Sequence, residues 1–261
     1  MQLSERKHFG GIGITMASQH DDNDVPDSDV GEEKSQKSAS ETPRVVLGAP
    51  NNIFLMGVMG AGKSSVGWAL AKMVGYAFID SDSEVEKRAR KSVAKIFTDD
   101  GESVFRDLER SVVLDMPGLR SHVISLGGGA VMDDQSWEVI QKLGVGVWLN
   151  PPPEEVARRL LADPEQMRSR PLVGDLAPEN DEELRGGGKA AEKFKTLCHR
   201  LGALTGMRQS RYKQAKVTLE SGFSTPEDTA KFVARALAES PDVRSYLRLK
   251  SAMSSLLRWD R

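Results

Sequence analysis

The 261-residue sequence lacks features that mark several large classes of protein. Cys198 is its only cysteine, which excludes an internal disulfide and a cysteine-based metal cluster and fits a reducing, cytoplasmic location. No apolar run approaches the roughly 20 residues that span a bilayer, so no membrane partner is expected. Basic and acidic residues number 36 and 38, so no overall basic field exists to hold nucleic acid. Binding of an anionic ligand would therefore depend on a few local arginines.

The first 44 residues differ in composition from the rest. They carry nine acidic against five basic residues, and the stretch from Asp21 to Ala39 has almost no apolar side chains to bury. This composition predicts a disordered acidic tail over residues 1–44. The segment lacks the apolar core of a secretory signal and is too acidic for a transit peptide. Translation starting at Met16 is an alternative.

From Asn52 onward, apolar strand-like runs alternate with helical patterns. This alternation predicts an α/β fold in which a five-stranded parallel sheet has helices on both faces, and the phosphate-binding motif described below makes it a three-layer P-loop fold. Ligands of such sheets bind at the carboxyl ends of the strands. The predicted strands are Ile53–Val58, Ala77–Ile79, His122–Leu126, Val145–Leu149 and Lys216–Leu219. The predicted helices are Ser64–Val74, Val85–Arg90, Val93–Thr98, Ser103–Leu114, Gln135–Leu143, Pro153–Ala162 and Pro226–Ala238.

Two segments interrupt the alternation. Asp163–Gly188 is rich in Pro, Gly, Asp and Glu and too polar to pack as core, which favours a mobile lid over an ordinary surface insertion. Its three glycines, 186–188, would supply a flexible joint. Residues 241–261 form a basic amphipathic tail, which leaves residues 45–240 as the folded domain.

A phosphate-binding motif follows the first predicted strand of that domain. Gly57-Val58-Met59-Gly60-Ala61-Gly62-Lys63-Ser64 satisfies the P-loop pattern, with a strand before it and a helix after it. Backbone N–H groups of such a loop surround phosphate oxygens, the lysine reaches the β- and γ-phosphates, and the hydroxyl ligates Mg²⁺. The predicted ATP-binding residues are Gly60, Ala61, Gly62, Lys63, Ser64 and Ser65.

Candidate residues for a phosphate acceptor come next along the chain. Asp80 and Asp82 follow the second strand, where one acid near Mg²⁺ and one near an acceptor hydroxyl would serve transfer to an alcohol. Equally, Asp82 or Ser83 could simply cap a helix. Arg106 could be a solvated helix residue, and Gly127-Gly128-Gly129 could be a tight turn or a close approach to a ligand.

Taken together, these residues resemble the shikimate kinase family from about Ile53 to Leu237. The matching runs are Met56–Gly67, Phe78-Ile79-Asp80-Ser81-Asp82, Ser92–Phe97, Gly101-Glu102-Ser103-Val104-Phe105-Arg106, Leu126–Val131 and Arg170-Pro171-Leu172. The resemblance implies transfer of the γ-phosphate of ATP to the 3-hydroxyl of shikimate in chorismate and aromatic amino acid biosynthesis. ATP and shikimate would be the small-molecule partners, Mg²⁺ the cofactor, and the chain a monomer.

The resemblance also implies a role for each residue. Lys63, Asp82 and Arg170 would be catalytic, with Asp82 as the base and Arg170 neutralising the transferring phosphoryl group. Arg159 would lie against adenine, and Ser64 and Asp80 would hold the metal. The residues implied to bind shikimate are Asp82, Arg106, Gly127, Gly128, Gly129 and Arg208.

Several alternatives stay open at this point. The interval from Arg170 to Arg208 is about twice the family's usual length, so Arg200 and Arg211 compete with Arg208 as the second clamp on the carboxylate. The proline that usually precedes Tyr212 in the family is replaced by other residues. A kinase for another polyol acid such as gluconate, or a non-catalytic regulatory module, would share the P-loop.

Overall fold

The structure, a computed structural model, describes residues 4–9, 12–17, 51–179, 187–220 and 225–240. Its strands are β1 Ser4–Phe9, β2 Ile12–Ala17, β3 Asn52–Met56, β4 Ala77–Asp80, β5 His122–Ser125, β6 Gly144–Leu149 and β7 Val217–Leu219. Its helices are α1 Lys63–Val74, α2 Ser81–Ala89, α3 Val93–Asp99, α4 Glu102–Leu114, α5 Asp134–Leu143, α6 Pro153–Leu161, α7 Pro164–Arg168, α8 Gly187–Tyr212 and α9 Pro226–Glu239. Short 3₁₀ turns lie at Met116–Gly118, Ala130–Met132 and Gly174–Leu176.

One sheet organises the molecule, with strand order β1-β2-β7-β6-β3-β5-β4. The five strands from β7 to β4 are mutually parallel, which confirms the predicted parallel sheet. β3 lies at its centre, pairing with β6 on one side and β5 on the other. The P-loop that follows β3 therefore opens at the middle of the sheet's carboxyl edge.

Burial of both faces of β3 fixes the three layers. All five of its residues are buried, which is usual for the central strand of a parallel sheet. Because side chains alternate along a strand, Ile53 and Leu55 pack into a core with α1, α6, α8 and α9. Phe54 and Met56 pack into a second core with α2 to α5. Both cores belong to one α/β domain.

A buried amide joins three segments at the amino end of β3. The Asn52 side chain is fully buried, and its Nδ2 donates to the carbonyl oxygens of Leu119 and Leu143 at 3.0 and 3.1 Å. Its Oδ1 accepts from the backbone N–H of His122 at 3.1 Å. One side chain thus bonds to backbone groups of three segments, although the Leu119 carbonyl also accepts from Arg120 Nη1 at 2.7 Å.

Two N-terminal strands correct the expectation of disorder for residues 4–9 and 12–17. β1 and β2 form an antiparallel hairpin, and β2 adds to β7 in antiparallel register. Averaging over 44 residues hid a local pattern, because Ile12, Ile14 and Met16 alternate with smaller residues at the spacing of a strand. Most of the acidic stretch, residues 18–44, lies outside the described residues.

The segment that was predicted to be a polar lid is partly packed into the core. α7 and the turn Gly174–Leu176 lie within it. Met167 and Val173 are fully buried and belong to the first core, so the expectation that the segment is too polar to pack is wrong. Ala177 is also buried in this core, and Leu172 and Leu176 pack against it.

Other parts of the chain also differ from, or lie beyond, the predictions. The 26-residue helix α8 was not predicted, and Gly187 and Gly188 form its first turn instead of a joint. Residues 180–186 and the predicted basic tail, 241–261, lie outside the described residues. Across the described ranges, no helix is both long and apolar enough to cross a membrane.

We expect Asn52→Ala to lower the free energy of unfolding by about 2–4 kcal/mol, because it leaves buried carbonyl and N–H groups without partners. Urea unfolding would measure the change. The neighbouring substitution Asn51→Ala is the control. Asn51 is half-buried and bonds only to Ser121, so about 1 kcal/mol or less should be lost. Equal losses would contradict the role given to Asn52.

Candidate active site

A cleft of about 490 Å³ opens at the carboxyl ends of the parallel strands. It brings together most of the residues that the sequence singled out. Those lining it are Gly60, Gly62, Lys63, Ser64, Ser65, Asp80, Asp82, Arg106, Gly128, Gly129, Arg159, Arg170 and Arg208. Two predicted residues, Ala61 and Gly127, do not line the cleft. Both are buried, and next to Gly127 it is Gly128 and Gly129 that line it.

The P-loop forms the floor of one end of the cleft. Gly62 precedes the first residue of α1 with a φ of 93°, a conformation that residues with a Cβ rarely adopt. α1 then begins at Lys63, so its free N–H groups and positive dipole end point into the loop. Together they make this end of the cleft a site for an anion such as phosphate.

The side chain of Lys63 is hydrogen-bonded to the backbone of the P-loop. Its Nζ donates to the carbonyl oxygens of Gly57 and Val58, both at 3.0 Å. Burial lowers the pKa of Lys63 to about 8, and the nearby charges of Asp82 and Asp80 oppose that effect. A bound phosphate would favour the charged form further, because opposite charges in a partly buried site attract strongly.

Ser64 and Asp80 form a pair of hard oxygen ligands beside the P-loop. The Ser64 hydroxyl donates to Asp80 Oδ2 at 2.5 Å and lies 3.4 Å from the Ser125 hydroxyl. The other oxygen of Asp80 accepts the N–H groups of Asp82 and Ser83 at the start of α2. Mg²⁺ prefers one or two such protein oxygens, with water and phosphate completing its shell, so these residues fit that ion.

Asp80, and not Asp82 or Ser83, is thus the residue that caps α2. The side chain of Asp82 is left to face the cleft, where its Oδ1 is buried without a hydrogen-bond partner among the described residues. Burial raises the pKa of Asp82 to about 6, the charge of Lys63 opposes this, and the charges of Asp80 and Glu109 add to it. A carboxylate with this pKa can accept a proton near neutral pH.

Arg106 is fixed in the cleft by two carboxylates of its own helix. Its Nη2 donates to Glu102 at 2.9 Å and its Nη1 to Glu109 at 2.7 Å. Glu109 is only 2 % exposed, and sequence reasoning missed it. The signal was present, because Glu109 interrupts the apolar spacing of Phe105, Val112 and Val113 on the buried side of α4.

The triple glycine lies where charged side chains crowd against the backbone. A Cβ at Gly127 would come within 2.4 Å of both Asp82 Oδ1 and Glu109 Oε1. At Gly128 it would lie 2.6 Å from Arg208 Nη1, and at Gly129 2.0 Å from Arg106 Nη1. The motif is thus a turn, closed by the Ala130 N–H on the Gly127 carbonyl at 3.2 Å, in which the missing Cβ atoms make room for charged side chains, and the close approach of a ligand stays a prediction. Ser81 holds the turn in place by accepting the Gly127 N–H at 2.7 Å.

Arg208 is the arginine of α8 that reaches this turn. It is 5 % exposed, and its Nη1 is buried without a hydrogen-bond partner among the described residues. Both rivals are engaged elsewhere: Arg200 donates to Leu172 and Asp175, and Arg211 pairs with Asp134. Neither lines the cleft, so the structure favours Arg208 as the second arginine of the acceptor end.

Arg159 and Arg170 line the cleft beside the P-loop. Arg159 lies on α6 and pairs with Glu155. Arg170 follows α7, and burial lowers its pKa while the charge of Asp82 opposes that effect.

An apolar wall of Val93, Phe97 and Phe105, which sequence reasoning did not single out, closes the opposite end of the cleft. The cleft therefore has a basic end for phosphates and a mixed end for a small polar ligand.

Comparison with known proteins agrees with this geometry. A family model described as shikimate kinase matches residues 59–200. The chain is 41% identical to a shikimate kinase of Prochlorococcus marinus (strain NATL2A) over 145 residues, 55% of this chain and 71% of the relative. It is 34% identical to a shikimate kinase of Cereibacter sphaeroides over 215 residues, 82% of this chain and 96% of the relative. The solved structure of a shikimate kinase from Acinetobacter baumannii in complex with shikimate is similar with a TM-score of 0.58 and 28% identity, covering 71% of this chain and 92% of that one.

The raised pKa of Asp82 predicts a stability cost. Because its pKa of about 6 in the folded state exceeds about 3.9 in an unfolded chain, the folded protein binds the proton more tightly. The ionised carboxylate therefore destabilises the fold fully above pH 6, and the cost disappears as pH falls toward 3.9. We expect Asp82→Asn to raise the free energy of unfolding by about 1–3 kcal/mol at neutral pH.

Urea unfolding at about pH 7 and about pH 4.5 would test this, with the gain smaller at the lower pH. Asp107→Asn is the control, because Asp107 is exposed and paired with Arg110 on the same helix as Glu109. That variant should gain no stability. A loss of stability for Asp82→Asn at pH 7 would show that the carboxylate is not strained by its surroundings.

Proposed function

Since the chain belongs to the shikimate kinase family, it is an ATP-dependent kinase that phosphorylates the 3-hydroxyl of shikimate, and we propose that the two ends of its cleft hold these two substrates. The observation that carries this assignment is the convergence of Asp82, Arg106 and Arg208 on the triple glycine. A carboxylate that accepts from hydroxyls and two guanidinium groups that bind a carboxylate are the complement of a hydroxylated acid.

The ATP phosphates would lie in the P-loop. Backbone N–H groups from Gly60 to Ser65 would surround the phosphate oxygens, and Lys63 would leave its carbonyl partners to reach the β- and γ-phosphates. Charge on these phosphates would be neutralised in part by Mg²⁺ held at Ser64 and Asp80. Arg159, on the same side of the cleft, would lie beside the adenine.

The acceptor would be bound between α4, the triple glycine and α8. Arg106 and Arg208 would hold the shikimate carboxylate, Gly128 would offer its N–H, and Phe97 and Phe105 would border the ring. Glu102 and Glu109 position Arg106 by occupying three of its five N–H groups. This leaves a defined edge of the guanidinium for a ligand.

Phosphoryl transfer would run along the line between the two substrates. The 3-hydroxyl oxygen forms a bond to the γ-phosphorus while the bond to the β–γ bridging oxygen breaks and releases ADP. Asp82 accepts the hydroxyl proton, and Lys63 and Arg170 stabilise charge on the phosphoryl oxygens. Most of the catalytic effect is positioning and charge, as is usual for this chemistry.

The remaining assignments extend this proposal to the whole chain. We propose that residues 45–240 form the kinase domain, to whose sheet β1 and β2 add, and that residues 1–44 are dispensable for catalysis. A monomer, as the resemblance implies, is also part of the proposal. The free thiol of Cys198 supports a cytoplasmic location.

A coupled ADP-release assay with shikimate, quinate and gluconate would test the assigned substrate. We expect turnover with shikimate and at least about 100-fold lower kcat/KM with the other two acids, because a buried polar site rejects ligands that leave its groups unpaired. Lys63→Ala should fold and bring kcat down to background. Comparable turnover of gluconate would replace shikimate with the rival polyol acid.

Arg106→Lys should raise the KM for shikimate about 10-fold or more and leave the KM for ATP within about twofold, because lysine keeps the charge but loses the planar fork. Arg110→Lys, one turn along α4, is the matched control. Arg110 pairs with Asp107 and lies outside the cleft lining, so both constants should be unchanged. An unaltered KM for shikimate in Arg106→Lys would remove Arg106 from the acceptor site.

A further inference from the structure

The backbone around Arg170 is anchored on both sides. Three residues before it and three after it, Met167 and Val173 are fully buried in the first core. The Arg170 carbonyl accepts the N–H groups of Val173 and Gly174 at 3.1 and 2.8 Å. Moving this segment as a body would expose both apolar side chains, and the two hydrogen bonds limit changes of the backbone within it. The position of the guanidinium is therefore governed mainly by its side-chain torsions.

One neighbouring side chain constrains those torsions. Gln166, one helical turn earlier on α7, accepts a hydrogen bond from Arg170 Nη2 at 2.8 Å through its Oε1. Both residues line the cleft. Arg170 Nε is buried without a hydrogen-bond partner among the described residues. The bond to Gln166 thus fixes one end of the guanidinium while other N–H groups stay available on the side of the phosphate site.

The neutral partner distinguishes Arg170 from the other described arginines that bond to a side chain four residues away. At the same spacing of four residues, Arg106 pairs with Glu102, Arg159 with Glu155 and Arg235 with Glu239. A carboxylate both orients an arginine and cancels much of its charge, whereas an amide oxygen orients it without adding charge. Full charge matters most for the arginine that faces the transferring phosphoryl group.

We propose that Gln166 is a positioning residue, which orients the Arg170 guanidinium toward the γ-phosphate and leaves its charge intact. The proposal rests on the role assigned to Arg170 above and adds the residue that sets its geometry. Gln166 itself touches neither substrate. What orients Arg170 without reducing its charge is the uncharged amide acceptor of Gln166, one helical turn before the arginine.

The decisive variant is Gln166→Glu, which keeps the size and the acceptor but adds a charge. We expect kcat to fall about 10-fold, with the KM values for ATP and shikimate within about twofold, because the loss is confined to charge stabilisation in the transition state. Gln166→Ala should lower kcat less, since it frees the arginine without neutralising it. Gln141→Glu is the matched control: Gln141 is exposed on α5, bonds to Gln214 and lies outside the cleft lining. It should match the unmodified enzyme.

An Arg170→Ala background separates this inference from the proposed function. If Arg170 acts on the phosphoryl group, Arg170→Ala alone should lower kcat by about 100-fold or more, and adding Gln166→Glu should then have no further effect. Near-normal kcat in Arg170→Ala would reject the role of the arginine, and the positioning role with it. A strong loss in Arg170→Ala combined with unchanged kcat in Gln166→Glu would reject Gln166 alone. The same fold loss from Gln166→Glu in both backgrounds would also reject it, because its effect would then not pass through Arg170.

Discussion

Buried charged side chains whose polar atoms are not all paired are the constraint on which this cleft depends. Asp82 Oδ1, Glu109 Oε1, Arg170 Nε and Arg208 Nη1 are all buried without hydrogen-bond partners among the described residues. Leaving such groups unsatisfied costs roughly 1–3 kcal/mol each. The fold tolerates this cost because a hydroxylated acid and a phosphate would supply the missing partners, so part of the binding free energy comes from relieving it.

The scaffold has to hold these groups apart without letting them neutralise one another. β3 does so by being buried on both faces, which places α1 and α4 on opposite sides of the sheet. Lys63 at the start of α1 and Arg106 on α4 then reach the cleft from different layers. The triple glycine after β5 fills the space between them with backbone alone, since a Cβ at any of its three residues would collide with a charged side chain.

Much of this arrangement could be predicted from the sequence, and the exceptions share a physical cause. Local sequence patterns were sufficient to predict the five parallel strands and the P-loop, because strand burial and loop geometry depend on adjacent residues. The hairpin at Ser4–Phe9 and Ile12–Ala17 was hidden by the composition of the acidic residues after it. α8 was missed because its N-terminal turns are polar and glycine-rich, and only Leu197, Leu201 and Leu204 reveal its apolar stripe.

The residues of the site show the same difference: some can be identified from local sequence patterns, and others only from the tertiary structure. Asp82, Arg106 and Lys63 are recognisable because they belong to motifs of contiguous residues. The choice between Arg208, Arg200 and Arg211 was left open, since all three lie on α8 and only the path of that helix decides which one reaches the triple glycine. Glu109 was overlooked for a related reason: a buried carboxylate looks like a solvated one until the arginine that pairs with it is seen in place.

The partners of three of the four cleft arginines, Arg106, Arg170 and Arg208, match the three roles proposed for them. Arg106 is held by two carboxylates, so its position is rigid and much of its charge is balanced, which suits a fixed contact with a substrate carboxylate. Arg208 has a buried N–H without a partner among the described residues, so in the proposed role it would gain most from a substrate carboxylate. Arg170 is held by a neutral amide, so it is oriented and still fully charged. Charge balance around each guanidinium, more than its mere presence, therefore separates binding from catalysis in this cleft.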